Sequence, residues 1–337
     1  MTSGGPLRLG TRGSTLARRQ SELVAAALRG AGHVVELVTI VTEGDVRPPD
    51  TAWGEGAFVG ALEGALRDGA VDLAVHSAKD VPIGNGSIGA GADADAAPGD
   101  GPALAAGAPG FPARALPGAA ADPVRGLVIA AYTAREDPRD ALVTRDASGL
   151  DELPAGARVG TDSPRRAAFL AAARPDLRIV PLHGNVDTRL RRLDSGEVDA
   201  LVLAVAGLVR LGHADRAHCA LDPALMPPAP AQGALAVQCR AADDRLRDAL
   251  AAVDHAPTRR CVEAEREVLE RTGGGCRAPL GALGEIQDGR MELLAGAVVR
   301  ASRPLVVRRS DDAGRSMELA RSVAKELLGA GFRGDVA

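Results

Sequence analysis

The chain has 337 residues, 46% hydrophobic and 25% charged, a composition typical of a globular protein with two or three domains. One Trp, one Tyr and four Phe are too few for a platform that stacks nucleic-acid bases, and the net charge of −4 also argues against a nucleic-acid partner. All but two of the 40 basic residues are arginine, and the exceptions are Lys79 and Lys325. Such a bias usually reflects genomic base composition, so each remaining lysine is a candidate for a specific role.

The first 80 residues alternate between strand-like and helix-like segments. Strands are predicted at 7–10, 34–41 and 71–76, and helices at 15–29 and 57–67. This βαβα order favours a parallel sheet covered on both faces.

The next stretch has a different composition. About two thirds of residues 83–131 are Gly, Ala or Pro, which can hold little core. We therefore expect a surface insertion at about 84–125, rather than an ordered Ala-rich helix, before a strand at 126–133.

A second alternating block and a different final third follow. Residues 158–212 predict strands at 158–160, 179–182 and 200–203, separated by helices that begin at Pro164 and after Asn185. The final third predicts a helix at 258–271, strands at 280–287, 290–299 and 304–309, and a helix at 316–328. The predicted class is α/β, with two lobes around a cleft and a small C-terminal α+β domain.

The start of the chain and the cysteine spacing indicate the cellular compartment and the state of the thiols. The first residues lack the apolar segment of a signal peptide, and the apolar run at 200–209 is too short to span a bilayer. We therefore expect a cytoplasmic protein without membrane contact. The four cysteines show no C-x-x-C spacing, so we expect free thiols and no bound metal.

Three strand-to-helix turns combine small polar residues with arginine, at 11–14, 161–166 and 184–189. Helix N-termini with adjacent guanidinium groups bind carboxylates and phosphates. Residues 158–216 also hold ten Arg against seven acidic residues, which supports an anion-binding cleft. The alternative for each turn is a capped surface helix with a solvated arginine.

Lys79 and Asp80 follow a predicted parallel strand, at the sheet edge where α/β proteins bind ligands. The alternative is a local ion pair. Cys276 follows three glycines in a predicted loop, so its thiol is expected to be accessible. Alternatively, the glycines merely end a helix and the cysteine is incidental.

Several stretches together resemble the hydroxymethylbilane synthase family, also called porphobilinogen deaminases. They occur in the family's order and cover nearly the whole chain. They are LRLGTRGSTLARRQ, GEGAFVGALEGAL, HSAKDVP, AREDPRDALV, VGTDSPRRAAFL, RPDLRIVPLHGNVDTRLRRLDSGEVDALVLAVAGLVRLG, PAPAQGALAVQCR and GGGCRAPLG. HSAKDVP, GNVDTRL and a Gly-Gly-Cys loop are specific in combination.

The resemblance implies two lobes like those of periplasmic binding proteins and a third domain. Domain 1 would comprise 1–133 and 234–251, domain 2 would comprise 134–233, and domain 3 would comprise 252–337. It implies a transferase of porphyrin and haem biosynthesis that joins four porphobilinogens head to tail, releases ammonia and yields hydroxymethylbilane. A dipyrromethane cofactor, held by a thioether to Cys276, would prime the reaction. Most family members are monomers, and we expect the same here.

The resemblance also implies a role for each matching position, with Asp80 as the catalytic carboxylate that stabilises the cation left by ammonia loss. The implied cofactor-binding residues are Cys276, Lys79, Ser77, Ser163, Arg165, Arg166, Asp45, Thr161 and Gly184. The implied substrate-binding residues are Arg12, Ser14, Gln20, Phe58, Arg189, Arg210 and His183. Each porphobilinogen carries an acetate and a propionate, which accounts for the arginines.

The sequence departs from the family pattern in four places. His183 stands where arginine is usual, Glu55 where lysine is usual, and Pro164 where leucine is usual, and the insertion after Pro82 is long. Because Asp80, Cys276 and the arginines are retained, we expect activity. The alternatives are a non-catalytic anion-binding module on the same bilobal fold and a paralogue that binds tetrapyrroles without making them.

Overall fold

The structure is a computed structural model that describes residues 5–41, 59–82, 126–146, 148–275, 278–299 and 304–334. Among the sequence predictions, the insertion at 84–125 and the residues Asp45, Glu55, Phe58 and Cys276 lie outside the described residues.

The described segments form strands and α-helices, which are numbered here in chain order. The strands are β1 (Leu7–Arg12), β2 (Val35–Ile40), β3 (Leu73–Ser77), β4 (Leu127–Tyr132), β5 (Asp140–Thr144), β6 (Arg158–Gly160), β7 (Arg178–Val180), β8 (Ala200–Ala204), β9 (Cys219–Ala220), β10 (Leu235–Arg240), β11 (Leu280–Gln287), β12 (Arg290–Ala297) and β13 (Leu305–Asp312). The α-helices are α1 (Thr15–Gly30), α2 (Gly60–Arg67), α3 (Pro164–Ala173), α4 (Val186–Asp194), α5 (Val205–Arg210), α6 (Asp244–Leu250), α7 (Ala256–Arg271) and α8 (Ser316–Gly329).

The first lobe is built on a sheet with the strand order β2-β1-β3-β10-β4. Strands β1, β2 and β3 are parallel, as predicted. Strand β10, which the sequence analysis did not predict, is antiparallel to both β3 and β4, so the complete sheet is mixed. The alternation in the first 80 residues could not reveal β10, because this strand returns to the first lobe only after the chain has passed through the second. Helix α1 packs Val24 and Leu28 into the core beneath Leu9 of β1.

The second lobe is built on a sheet with the strand order β7-β6-β8-β5-β9. Strands β6, β7 and β8 are parallel, whereas β5 is antiparallel to β8 and β9. The fully buried Phe169 and Leu170 of α3 pack into this lobe's core. The chain crosses between the lobes twice, between β4 and β5 and again between β9 and β10. Residues of both lobes line a cavity between them.

The third domain is an antiparallel sheet, β11-β12-β13, whose core includes buried residues of α7 and α8. It contacts the second lobe closely, because a Cβ added to Gly281 would lie 2.1 Å from the carbonyl oxygen of Pro227. The predicted class of two α/β lobes with a cleft and a small C-terminal α+β domain is confirmed. No described helix combines the length and apolar character that a membrane span requires.

Candidate functional site

A cavity of about 650 Å³, called the cleft below, lies between the two lobes and is lined by residues of both. The first lobe contributes the ends of β1 and β3 and the start of α1, and the second contributes the starts of α3 and α4 and residues of α5. The predicted site residues that line it are Arg12, Ser14, Gln20, Ser77, Lys79, Asp80, Arg166, Gly184, Arg189 and Arg210. The structure therefore brings together residues that are far apart in the sequence.

Lys79 and Asp80 lie in a short 3-10 helix, Ala78–Asp80, directly after β3. The amide of Ala78 donates to the carbonyl oxygen of Ala234, the residue directly before β10. This hydrogen bond fixes the turn at the cleft. Lys79 Nζ donates to Gln232 Oε1 at 3.0 Å. Burial, reinforced by the charge of Arg166, lowers the pKa of Lys79 to about 8. Asp80 lines the cleft, and no hydrogen bond joins its carboxylate to another residue of the described segments.

The first lobe also places neutral polar side chains in the lining of the cleft. Gln20 Nε2 donates to Ser77 Oγ at 3.0 Å, which links α1 to the end of β3. Ser14 caps α1, because its Oγ accepts from the amide of Ala17. The start of α1 therefore presents its N-terminal end, with Arg12 beside it, to the cleft.

The adjacent arginines Arg165 and Arg166 are buried, with 4% and 6% of their surface exposed, and both contact Asp140. A nitrogen of Arg165 lies 2.7 Å from Asp140 Oδ2, and Arg166 donates to Oδ1 at 2.8 and 3.1 Å. Burial alone would raise the pKa of the Asp140 carboxyl, but the two guanidinium groups outweigh it and hold that pKa far below its usual range. Asp140 therefore neutralises part of the positive charge of Arg165 and Arg166, which the sequence analysis had reserved for the cofactor.

Arg189 and Arg210 carry positive charge into the cleft from α4 and α5. Arg189 Nε donates to the carbonyl oxygen of Gly184 at 2.8 Å, and Arg210 donates to that of Gly233 at 2.6 Å. Burial, followed by the charge of Arg166, lowers the pKa of Arg189 to about 10, so it remains a cation at neutral pH. Gly184 has φ of +110°, a conformation that favours glycine, and it makes the tight turn into α4.

Three other predicted residues, His183, Thr161 and Ser163, are not part of the cleft lining. His183 does not line the cavity, and its Nδ1 lies 2.5 Å from Asp162 Oδ2. Thr161 is buried, and its Oγ1 accepts from the amide of Ser163. Ser163 caps α3 by accepting from the amide of Arg166, as its position before Pro164 predicted.

A smaller cavity of about 60 Å³ lies where the third domain meets the two lobes. Its lining includes Lys79, Ser163, Arg165, Arg266 and Gly275. Three cationic side chains therefore surround a space that reaches the residue immediately before Cys276. Such a surrounding fits the carboxylates of a dipyrromethane attached at that position.

Sequence reasoning missed three residues of this region, Asp140, Gln232 and Arg266. Arg266 of α7 donates to the carbonyl oxygens of Val81 and Pro82, both at 2.8 Å, and so holds the segment that follows Asp80. Asp140 and Gln232 lie within the quoted stretches AREDPRDALV and PAPAQGALAVQCR, but nothing in either stretch shows which distant side chain they contact.

Comparison with known proteins agrees with this geometry. The family model for the "porphobilinogen deaminase, dipyromethane cofactor binding domain" matches residues 7–87 and 116–248, and that for the porphobilinogen deaminase C-terminal domain matches residues 259–329. The porphobilinogen deaminase of Mycobacterium tuberculosis strain H37Rv is 45% identical over an alignment of 338 residues that covers 97% of each chain. That of Nocardia farcinica is also 45% identical, over 98% of this chain and 88% of its own.

Solved structures match at a much lower level. A Bordetella pertussis BvgS VFT2 domain is 18% identical, with a TM-score of 0.38 over 73% of this chain and 85% of its own. The methionine-binding protein MetQ is 14% identical, with a TM-score of 0.41 over 73% of this chain and 89% of its own. The family models and the full-length relatives are decisive: the chain belongs to the porphobilinogen deaminase family.

Proposed function

We propose that the cleft is the site at which this chain, as a hydroxymethylbilane synthase, joins four porphobilinogen molecules head to tail. The reaction releases ammonia at each step and ends with release of hydroxymethylbilane, a precursor in porphyrin and haem biosynthesis. The observation that carries the proposal is the Asp80 carboxylate, which opens to the cleft among arginines and beside Lys79. Family membership favours this function over a non-catalytic anion-binding module.

The charges of the cleft suit a substrate that gains two carboxylates with every unit added. Arg12, Arg189 and Arg210 all line the cleft, and we assign them to the acetate and propionate groups of the substrate. Bidentate guanidinium groups suit this task because their planar fork matches a carboxylate. Ser14, Gln20 and Ser77 lie beside them as neutral donors.

We assign Asp80 the central chemical role. When the aminomethyl group of porphobilinogen leaves as ammonia, the pyrrole that remains is a cation, and a carboxylate held beside it lowers the energy of that charge. The same carboxylate can pass a proton between the leaving amine and the pyrrole α-carbon at which the new bond forms. The nearby ammonium of Lys79 binds an anionic group of the ligand and keeps it oriented.

We assign the cofactor to the smaller cavity and to the part of the cleft next to it. Cys276 supplies the sulfur of the thioether, and Lys79, Arg165 and Ser163 surround the space beside Gly275. When bound, the dipyrromethane supplies the pyrrole carbon to which the first substrate is joined. Arg166, Gly184 and Thr161 complete the set, and Asp45 and Phe58 keep the cofactor and substrate roles that the resemblance implies.

The domain boundaries remain a proposal: 1–133 with 234–251, 134–233, and 252–337. They are supported by the three sheets, each of which is contained in one of these divisions. The interruption of the family match at 88–115 falls inside the proposed insertion. A cytoplasmic location and a monomeric state are proposed from the family resemblance, and light scattering tests the latter.

The experiment that tests the catalytic role compares Asp80→Asn with Asp68→Asn. Loss of the charge at position 80 should lower kcat by at least about 100-fold, as for other groups that stabilise a developing charge. The exposed Asp68, at the end of α2, serves as the matched control and should leave turnover unchanged. Near-normal consumption of porphobilinogen by Asp80→Asn would remove Asp80 from its assigned role.

A further inference from the structure

Gln232 lies on the second crossing between the lobes, and only 1% of its surface is exposed. Its side-chain amide touches both lobes. Oε1 accepts from Lys79 Nζ at 3.0 Å, while Nε2 donates to Asp140 Oδ1 at 2.9 Å and to the carbonyl oxygen of Pro138 at 2.7 Å. The orientation of the amide is fixed by these partners, since a flipped amide would place its NH₂ group against an ammonium.

The backbone around Gln232 is held as firmly as its side chain. Its carbonyl oxygen accepts from Arg135 Nε at 2.8 Å, on the first crossing between the lobes. Arg135 in turn forms a two-point ion pair with Glu265, a fully buried carboxylate of α7, at 2.5 and 3.0 Å. Gln232 therefore lies where both lobes and the third domain meet. A change in the relative position of the lobes would change its contacts.

A continuous polar chain results from these contacts. It runs from Lys79, beside Asp80 in the first lobe, through the Gln232 amide to Asp140 in the second lobe. From Asp140 it reaches both Arg165 and Arg166. A displacement of Gln232 would alter the positions of the lysine and of the arginine pair together.

We propose that Gln232 is a positioning residue of the proposed reaction. Its amide oxygen accepts from the Lys79 ammonium and holds it beside Asp80. Its amide nitrogen donates to Asp140, the carboxylate that orients the buried arginine pair. The inference rests on the proposed function of the cleft and adds a group that the assignments above leave without a role.

The charges that face Lys79 explain why such a neutral acceptor matters. Asp80 on its own turn and Asp140 on β5 favour the ammonium, whereas Arg165 and Arg166 on α3 oppose it. Arg266 of α7 lines the same small cavity and adds a further cation. Among these described groups, cations outnumber anions around Lys79, so loss of the Gln232 oxygen should let the ammonium move away or lose its proton.

The test uses the fact that the chain contains only two lysines. With lysine labelled with carbon-13 at Cε, NMR should show one signal for Lys79 and one for the exposed Lys325, which is the internal reference. Lys79→Arg assigns the signals. We expect Gln232→Met, which has no amide, to lower the Lys79 pKa by about one unit. We expect Gln232→Glu, which places an anion beside the ammonium, to raise it by about one to three units.

The control is Gln287→Met, at the exposed end of β11, which should leave the Lys79 signal unchanged. Opposite shifts in the two Gln232 variants support the proposal, because a general loss of packing would not move the titration in opposite directions. The proposal is overturned if Lys79 titrates at the same pH in all variants or moves the same way in both. If Gln232→Met does not fold, the nearly isosteric Gln232→Glu alone is used for the test. An unchanged pKa of Lys79 in that variant overturns the proposal.

The pH dependence of kcat/KM then tests the proposed binding role of Lys79 separately from its contact with Gln232. The alkaline limb of kcat/KM for porphobilinogen should move to lower pH in Gln232→Met and to higher pH in Gln232→Glu. If the NMR titration moves as expected but the kinetic profile does not follow it, Lys79 loses its proposed binding role. In that case the positional link between Gln232 and Lys79 still stands.

Discussion

The replacement Asp140→Asn removes the negative charge on which two buried arginines converge. The fully buried carboxylate lies 2.7 Å from Arg165 and 2.8 Å from Arg166. Removing one partner of a buried ion pair leaves an uncompensated charge and typically costs about 3–5 kcal/mol. We expect a loss toward the upper end of that range, because two guanidinium groups lose their counter-ion at once. The loss is measured as the change in the free energy of unfolding in urea, followed by circular dichroism.

The matched control is Asp194→Asn, whose partner Arg216 lies 2.9 Å away in an exposed ion pair. Such pairs contribute about 1 kcal/mol or less. Similar losses for the two variants, or a loss below about 1 kcal/mol for Asp140→Asn, would refute the argument that Asp140 holds the arginine pair together.

The pH dependence of the same comparison has a definite sign. The Asp140 pKa is depressed in the folded chain from its ordinary value of 3.8, so its contribution to stability is fully present above that value. The contribution is lost only as the pH falls through the folded-state pKa. The difference between the original chain and Asp140→Asn should therefore be the same at about pH 5.5 and at about pH 7.

Three further predictions concern residues around the cleft. Arg266→Met should lower kcat about tenfold while the cofactor stays attached, because the segment after Asp80 loses two hydrogen bonds from that side chain. Steady-state kinetics and intact mass measure this. Gly184→Ala should raise KM severalfold, because its Cβ would lie 3.1 Å from Thr188 in a backbone conformation that favours glycine. His183→Arg should raise substrate affinity or cofactor loading, since arginine carries a permanent charge, and KM and intact mass measure the change.

Each of these predictions has a control or a contrary outcome. Arg271→Met changes a more exposed arginine of α7 and should leave kcat unchanged, so equal effects of the two arginine variants would contradict the role of Arg266. Gly196→Ala also places alanine at positive φ, but nothing lies within 4 Å of its Cβ, so a matching rise in KM there would show that the turn at Gly184 is unimportant. Unchanged kinetics and loading in His183→Arg would show that this departure from the family is immaterial.

Local structure was largely predictable from the sequence because its signals are local. Helix α1 begins at Thr15 and helix α3 at Pro164, as predicted, and Ser163 supplies the cap that the sequence indicated for α3. The strands of the third domain follow from short apolar runs. The same reasoning placed Lys79 and Asp80 at the end of a strand, which is where the structure has them.

Long-range partners could not be predicted in this way. Strand β10 was missed because its neighbours β3 and β4 lie far earlier in the chain, and no periodicity records such a pairing. The contact of Asp140 with Arg165 and Arg166 depends on how β5 sits beside α3 in the folded lobe. A sequence rich in arginine and aspartate offers many equivalent pairings, and only the packing selects one.

The most direct test of the account is the intact mass of the protein expressed in a host that makes porphobilinogen. The account predicts a mass above that of the sequence by two linked pyrrole units, lost in Cys276→Ala and retained in Cys219→Ala, which changes a partly exposed thiol elsewhere. An unmodified mass in the original chain, or the added mass surviving in Cys276→Ala, would contradict the assignment of the cofactor to Cys276.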